Sequence, residues 1–295
     1  MLTSDNIANP TWIIEPGIQS WDNDYSIVEY LKSQNIPYHE IQYIPFAQPG
    51  DITLPEIDGP VIFRGSLNFA SYLLRASKYY PLLFEDLKTF DCSNYYPMFT
   101  DITRYGSPTL LLNKNFLMMP IGNLLAQKSF ISKVLCSILD QNPKVFIRPN
   151  SGQKSFAGQV VTLGKFEDFV KFIQENLGCK PNELVLVSKY YEIKTEYRAV
   201  IIDHKVISVS EYSPTKKIVD LTDNTYLANW IDDLLLDFTG PIAYTLDIAE
   251  EADNMYSILE INSLNCAGWY DNDVPKIVEA LNKLALKQWN EIYLT

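Results

Sequence analysis

Between Glu183 and Asn262 the chain carries five apolar-rich runs, "ELVLVS", "EYRAVIID", "KVISVSEY", "IAYTLDI" and "MYSILEIN". Runs of this length, rich in Val, Ile and Tyr and bounded by polar residues, read as β-strands. The "DH" between the second and third runs and the "EEADN" between the last two read as polar turns, so each pair closes as a hairpin. One helical stripe interrupts the series, with Leu227, Trp230, Ile231, Leu234, Leu235 and Phe238 at helical spacing. A chain with this run has to build a sheet of several strands joined by hairpins.

The elements on either side set the fold class. Towards the N-terminus, strands "TWIIE", "IQYI" and "GPVIFRGS" alternate with helices "DNDYSIVEYLKSQN" and "LNFASYLLRAS", a pattern that implies α/β architecture. From 78 to 119 the pattern fails, and this aromatic- and proline-rich stretch reads as an irregular packed connection. A second pattern then begins. "KSFISKVLCSILDQN" places Phe130, Val134, Leu135 and Ile138 on a helical stripe, "KVFIRPN" and "GQVVTL" read as strands, and "FEDFVKFIQENLG" reads as a helix closed by Gly178. "VPKIVEALNKLALKQW" is a closing amphipathic helix. The expected organisation is an N-terminal α/β domain over 1–120 and an α+β domain over 121–295.

Composition excludes several classes of chemistry. The formal net charge is −12, which repels a phosphate backbone and disfavours bulk nucleic-acid binding. No apolar run approaches a membrane span, and the N-terminus lacks a basic-then-apolar signal, so a cytoplasmic protein without membrane attachment is expected. Cys92, Cys136, Cys179 and Cys266 form no C-x-x-C pair, and His39 and His204 are the only histidines. Zinc knuckles, disulfide frameworks and histidine triads therefore lack material. Any chemistry falls to carboxylates, Arg, Lys and backbone amides.

Three places carry such groups. In "VFIRPNSGQKSFAG", Arg148 ends a strand and Lys154 lies in a loop with Gly152, Ser155 and Gly158. Small residues let backbone N–H groups approach an anion while Arg and Lys supply charge; the same spacing also fits an exposed basic turn. In "LVLVSKYYEIKTEYRAVIID", a buried strand ends at Val187, Ser188 and Lys189, with Glu192 beyond it. Such a strand end can offer backbone groups to an adenine edge and a carboxylate to ribose hydroxyls. Glu196 and Arg198, two apart, share a strand face, either as a surface ion pair or as groups facing phosphate. In "YTLDIAEEADNMYSILEIN", pairing Ile248 with Ser257 makes Glu260 a diagonal neighbour of Asp247, about 7–8 Å away, and Asn262 shares the face of Glu260. Three oxygen donors there suit Mg²⁺, although a solvated strand end has the same local sequence and a one-residue slip in register would part them.

The order of these pieces resembles an ATP-grasp domain, and within that superfamily the divergent clade named for its Arg and Lys motif. That clade includes the eukaryotic cell-division-cycle protein that helps assemble translation initiation factor two, together with bacterial and phage members. The resemblance covers roughly 120–295 and rests on "FIRPNSGQKSFAG", "EIKTEYRAVIIDHKVISVSEY" and "LDIAEEADNMYSILEINSLNCAGWYDND". It implies two α+β lobes clasping ATP, preceded by an α/β domain in which Gly65 and Ser66 form a Gly-Ser turn. It also implies phosphate-holding Arg148 and Lys154 with Ser155 beside them, an adenine hinge at Val187, Ser188 and Lys189, and ribose contact through Glu192. Glu196 and Arg198 face the triphosphate or acceptor, and Asp247, Glu260 and Asn262 bind Mg²⁺. The implied cofactors are ATP and Mg²⁺. The implied activity is carboxylate–amine ligation through an acyl phosphate, with a protein or peptide among the candidate acceptors. The rivals are an ATP-binding assembly factor that releases no ligated product, and a pure interaction domain.

Overall fold

A computed structural model describes residues 9–17, 24–76, 79, 82–83, 87–100, 110–137, 140–212, 217–238 and 240–293. The N-terminal strands and helices run β1 (Thr11–Ile14), α1 (Asp24–Ser33), β2 (Tyr38–Glu40), β3 (Val61–Arg64), α2 (Leu67–Ala76) and β4 (Leu82–Leu83). The four strands form one parallel sheet in the order β2-β1-β3-β4. Its central strands are buried along nearly their whole length, as expected where helices cover a parallel sheet. The second strand lies at Tyr38–Glu40 and not at "IQYI". Ile41 still donates its N–H to the Ile14 carbonyl at 2.9 Å, so the chain departs from the sheet just there.

The stretch expected to be irregular contains α3 (Cys92–Thr100) and β5 (Phe116–Pro120); residues 101–109 lie outside the described set. Pro97 sits inside α3. A proline lacks the N–H that a helix interior uses, which hid this helix from a reading by pattern. Next come α4 (Lys128–Leu135), β6 (Lys144–Pro149), β7 (Gln159–Thr162), α5 (Phe166–Asn176) and β8 (Leu184–Lys189). Here β5, β8, β6 and β7 form an antiparallel sheet in that order. Helix α5 packs Phe166, Phe169, Val170 and Ile173 into the core beneath the sheet, and Gly178 follows it at φ +67°, the left-handed conformation that ends helices. Helix α4 buries Ile131 and Leu135, whereas Phe130 and Val134 of the expected stripe are about half exposed. Ile138 lies outside the described residues.

The third sheet joins β9 (Thr195–Ile202), β10 (Lys205–Glu211), β11 (Lys217–Ile218), β12 (Ala243–Ala252) and β13 (Met255–Ser263) in the order β11-β10-β9-β12-β13. Helices α6 (Thr225–Asp237) and α7 (Val274–Tyr293) complete the described elements. Asp203 and His204 turn the β9–β10 hairpin with φ of 50° and 58°, both left-handed as a tight two-residue turn requires. Contacts gather into two compact units that interleave along the chain. The first spans Met1–Glu85, Thr195–Ile248 and Glu260–Thr295, and the second spans Asp86–Lys194 and Ala249–Leu259. The expected border at 120/121 falls inside the second unit. Among the described residues no helix is long and apolar enough to cross a membrane, and the four cysteines are free thiols.

Candidate functional site

In the first unit, neighbouring strands β9 and β12 bring Arg198 against Asp247. Arg198 Nε donates to Asp247 Oδ1 and Nη2 to Oδ2, both at 2.7 Å, and Nη1 donates to the Gly268 carbonyl at 2.7 Å. Both side chains are almost wholly buried. Burial opposes charge on the guanidinium, yet the Asp247 carboxylate outweighs it and holds Arg198 above its ordinary pKa. The Tyr270 ring covers the guanidinium, 4.2 Å from Cζ to the ring centre, a cation–π contact in a desolvated place. Burial pushes the Tyr270 hydroxyl up to about 12, with Arg198 pulling the other way.

Asn262, on β13, donates its amide to Asp247 Oδ2 at 3.2 Å and to Glu260 Oε1 at 3.0 Å. The three residues expected to converge do so, and Arg198 joins them. Glu196 lies on the same strand face as Arg198 and is half-buried; its carbonyl accepts the Tyr212 N–H at 2.7 Å, and Tyr212 in turn packs on Tyr270. Among the described residues no group of three His, Cys, Asp or Glu could hold a metal, because the third oxygen donor here is an amide. A donor set of two carboxylates and an amide oxygen, without sulfur or imidazole, fits a hard cation such as Mg²⁺.

Sequence reasoning missed the loop 264–273 as the frame of this cluster. Asn272 donates to the Trp269 carbonyl at 2.8 Å, to Ser210 Oγ at 2.9 Å and to the Arg198 carbonyl at 3.2 Å, tying the loop to β9 and β10. Its sequence signal is the aromatic pair Trp269 and Tyr270, which fits either the wall of a pocket or simple packing. Trp269 packs fully buried and donates to the Leu264 carbonyl at 3.0 Å, while Tyr270 is the one that faces a functional group. Arg64, at the end of β3, donates to the carbonyls of Leu264 at 3.1 Å and Asn265 at 3.2 Å. The N-terminal sheet therefore braces the loop that covers Arg198. Burial pushes the Cys266 thiol up to about 12, so this loop offers no thiolate at neutral pH.

The expected Gly-Ser turn is built against Glu15. Ser66 donates its N–H to Glu15 Oε2 at 2.7 Å, and its own Oγ accepts the Phe69 N–H at 3.2 Å, capping α2. A Cβ on Gly65 would meet Glu15 Cβ and the Phe63 ring at 2.8 Å. Gly65→Ala should accordingly destabilise the protein by about 1–3 kcal/mol, as overpacking does, read as a lower urea midpoint at unchanged slope. Burial raises the Glu15 pKa from its ordinary 4.5, and the Ser66 hydrogen bonds offset only part of this. The folded protein then binds this proton more readily than the unfolded chain. The stability it lends is full below the ordinary value and is lost as the pH rises through the raised one. Urea titrations across that range should show Glu15→Gln lacking this loss; an identical pH profile in the variant would contradict it.

In the second unit, Arg148 on β6 is buried and its Nη1 donates to Tyr95 Oη of α3 at 3.3 Å. The loop after it is docked on the start of α3: the Gly152 N–H goes to Asp91 Oδ1 at 2.8 Å, and Asn150 Oδ1 accepts the Ser93 N–H at 2.8 Å. The Gly152 amide, expected to face an anion, is thus held by a carboxylate. Lys154 is exposed at φ +48°, and Ser155 donates its hydroxyl to Glu183. Strand β8 lies between β5 and β6, so its backbone is paired on both sides where Val187 faces Leu117 and Ile147. The Val187 side chain is in the core, and Ser188 donates to Asn113 Oδ1 at 3.0 Å, both buried. Lys189 and Glu192 are exposed at the strand end.

An ATP-grasp domain family, the second family of the clade named for its Arg and Lys motif, matches residues 126–280, more than half of the chain. The chain belongs to that ATP-grasp clade. Solved ATP-grasp structures share its fold at low identity. One described as D-cycloserine synthetase DcsG aligns at a TM-score of 0.60 and 13% identity, over 93% of this chain and 99% of that one. A RimK domain ATP-grasp protein from Sphaerobacter thermophilus aligns at 0.57 and 11%, over 97% and 100%. The ATP-grasp ligase PsnB, complexed with a minimal precursor, Mg and ADP, aligns at 0.55 and 14%, over 98% of each chain. No curated protein matches the chain. Each of these alignments runs over 93% or more of this chain.

Proposed function

We propose that this ATP-grasp protein is an ATP- and Mg²⁺-dependent carboxylate–amine ligase acting on a peptide or protein, in the cytoplasm. The observation that carries the reading is the meeting of Asp247, Glu260 and Asn262 beside a buried Arg198, at the strand end where a hard cation fits. In this reading a substrate carboxylate oxygen attacks the γ-phosphorus of ATP and ADP leaves. An amine then displaces phosphate from the acyl phosphate, losing its proton as the amide forms.

Each residue has a task in that scheme. Asp247, Glu260 and Asn262 would hold Mg²⁺, which would supply positive charge to the transferring phosphoryl group. Arg198 fixes both oxygens of Asp247, and Tyr270 with the Gly268 carbonyl fixes Arg198, so the carboxylate is preorganised. Arg148 and Lys154 hold phosphates, with Ser155 beside them, while Val187, Ser188, Lys189 and Glu192 border the nucleoside. Glu196 borders the acceptor. A peptide acceptor is favoured because structural neighbours such as PsnB and the macrocyclase MdnC from Microcystis aeruginosa are described in complex with precursor or precursor peptide.

The test is ADP release with ATP and Mg²⁺ across a pool of carboxylate- and amine-bearing peptides, followed by mass spectrometry. Peptide-stimulated ADP release with a new amide product is expected. Tight ATP binding with no ADP release across the pool would contradict ligation and favour an assembly factor.

A further inference from the structure

The far end of the β9–β10 hairpin and one stripe of α7 enclose an open groove of about 390 Å³ within the first unit, lined by residues with no task in the ligase scheme. Its floor is apolar: Ile202, Val206 and Ile207 on the hairpin meet Ala280 and Leu284 on the helix. Four lysines, Lys205, Lys276, Lys283 and Lys287, stand on its rim. Against them the lining has two carboxylates, Asp203 and Glu279, and both have partners already. Asp203 accepts Lys287 Nζ at 3.3 Å, and Glu279 accepts the Tyr30 hydroxyl at 2.9 Å. Lys276 pairs with Asp273 at 2.9 Å. Among the described residues, neither Lys205 nor Lys283 has a carboxylate partner.

A local excess of lysine is unexpected in a chain of net charge −12. Exposed Lys–Asp pairs contribute little, so Lys276 and Lys287 can exchange partners with an incoming anion at small cost. Lysine stems lie along apolar surface and keep the ammonium at the rim. The first and last lysines of α7 are eleven residues apart, roughly 16 Å of helix, which is the length of about five extended residues. Lys283 and Lys287 lie roughly 6 Å apart along the axis, close to the spacing of alternate residues on an extended strand. An extended segment would set apolar side chains on the floor and carboxylates against the lysines.

We infer that this groove docks an acidic segment of a peptide partner, with carboxylates alternating with apolar residues. This does not rest on the ligase reading, because neither Arg198 nor Asp247 lines the groove and binding needs no ATP. The test uses the full chain without nucleotide and a fluorescent peptide of alternating Glu and Val, read by anisotropy. Saturable binding that weakens with salt is expected, with little binding of a Lys–Val peptide. The double variant Lys205→Glu with Lys283→Glu should lose at least about tenfold in affinity and keep the wild-type melting temperature. Absence of saturable binding, or affinity unchanged in the double variant, would overturn the proposal. Displacement of the peptide by a single-stranded oligonucleotide of higher affinity would also overturn it, by assigning the groove to nucleic acid.

Discussion

Glu260→Gln is expected to lower the rate of ADP formation by roughly a hundredfold or more while ATP still binds. The substitution keeps the shape of the side chain and removes a formal charge from the cluster. Charge held near a metal acts most on the transition state, where phosphoryl charge is redistributed, so turnover should fall further than nucleotide affinity. Steady-state ADP release beside calorimetric ATP titration separates the two. Glu251→Gln is the control: Glu251 accepts the Ser257 hydroxyl at 2.6 Å, and a glutamine can accept it equally. Glu250 is a poor control, because it is buried and lies 3.7 Å from Lys194 Nζ. Equal turnover in Glu260→Gln and wild type would return the strand end to a solvated terminus.

Asp247→Ala is expected to destabilise the protein by about 3–5 kcal/mol, since it leaves the buried Arg198 guanidinium without its counter-charge. Arg198→Ala should cost a similar amount by stranding Asp247. The double variant Arg198→Met with Asp247→Leu removes both charges and should regain much of the stability, because a buried ion pair is often replaceable by apolar packing. It should regain no ligase activity, because one oxygen donor of the cluster is gone. Urea denaturation of the two single variants and the double variant tests the stability half. Losses that simply add in the double variant would mean that the two residues do not act as a pair.

Much of the architecture was legible because period and turn chemistry agree locally. The β9–β10 hairpin follows from two alternating runs around "DH", and α5 follows from Phe166, Phe169, Val170 and Ile173. Helix α3 was not legible, because Pro97 breaks the local rule and the helix is held by tertiary packing: Tyr95, Tyr96 and Phe99 are fully buried. In α4 the core beneath the second sheet takes Leu135 from the expected stripe and adds Ile131, leaving Phe130 and Val134 about half exposed. The convergence of Asp247, Glu260 and Asn262 was legible from a hairpin and a two-residue spacing. What the sequence could not show is that Arg198 turns towards Asp247, since a same-face Glu-x-Arg on one strand says nothing about the strand beside it. Nor could it show that Asp91 holds the Gly152 amide, a contact between residues sixty-one apart in the chain.

In the proposed reaction a substrate carboxylate is phosphorylated before an amine displaces the phosphate. The direct measurement supplies ATP, Mg²⁺ and the peptide pool with its carboxylates labelled by heavy oxygen, and weighs the inorganic phosphate released. The phosphate is expected to carry one labelled oxygen taken from the peptide carboxylate, and EDTA is expected to abolish its formation. Phosphate released without label would mean that water, not a carboxylate, takes the phosphoryl group, and would rule out the acyl phosphate.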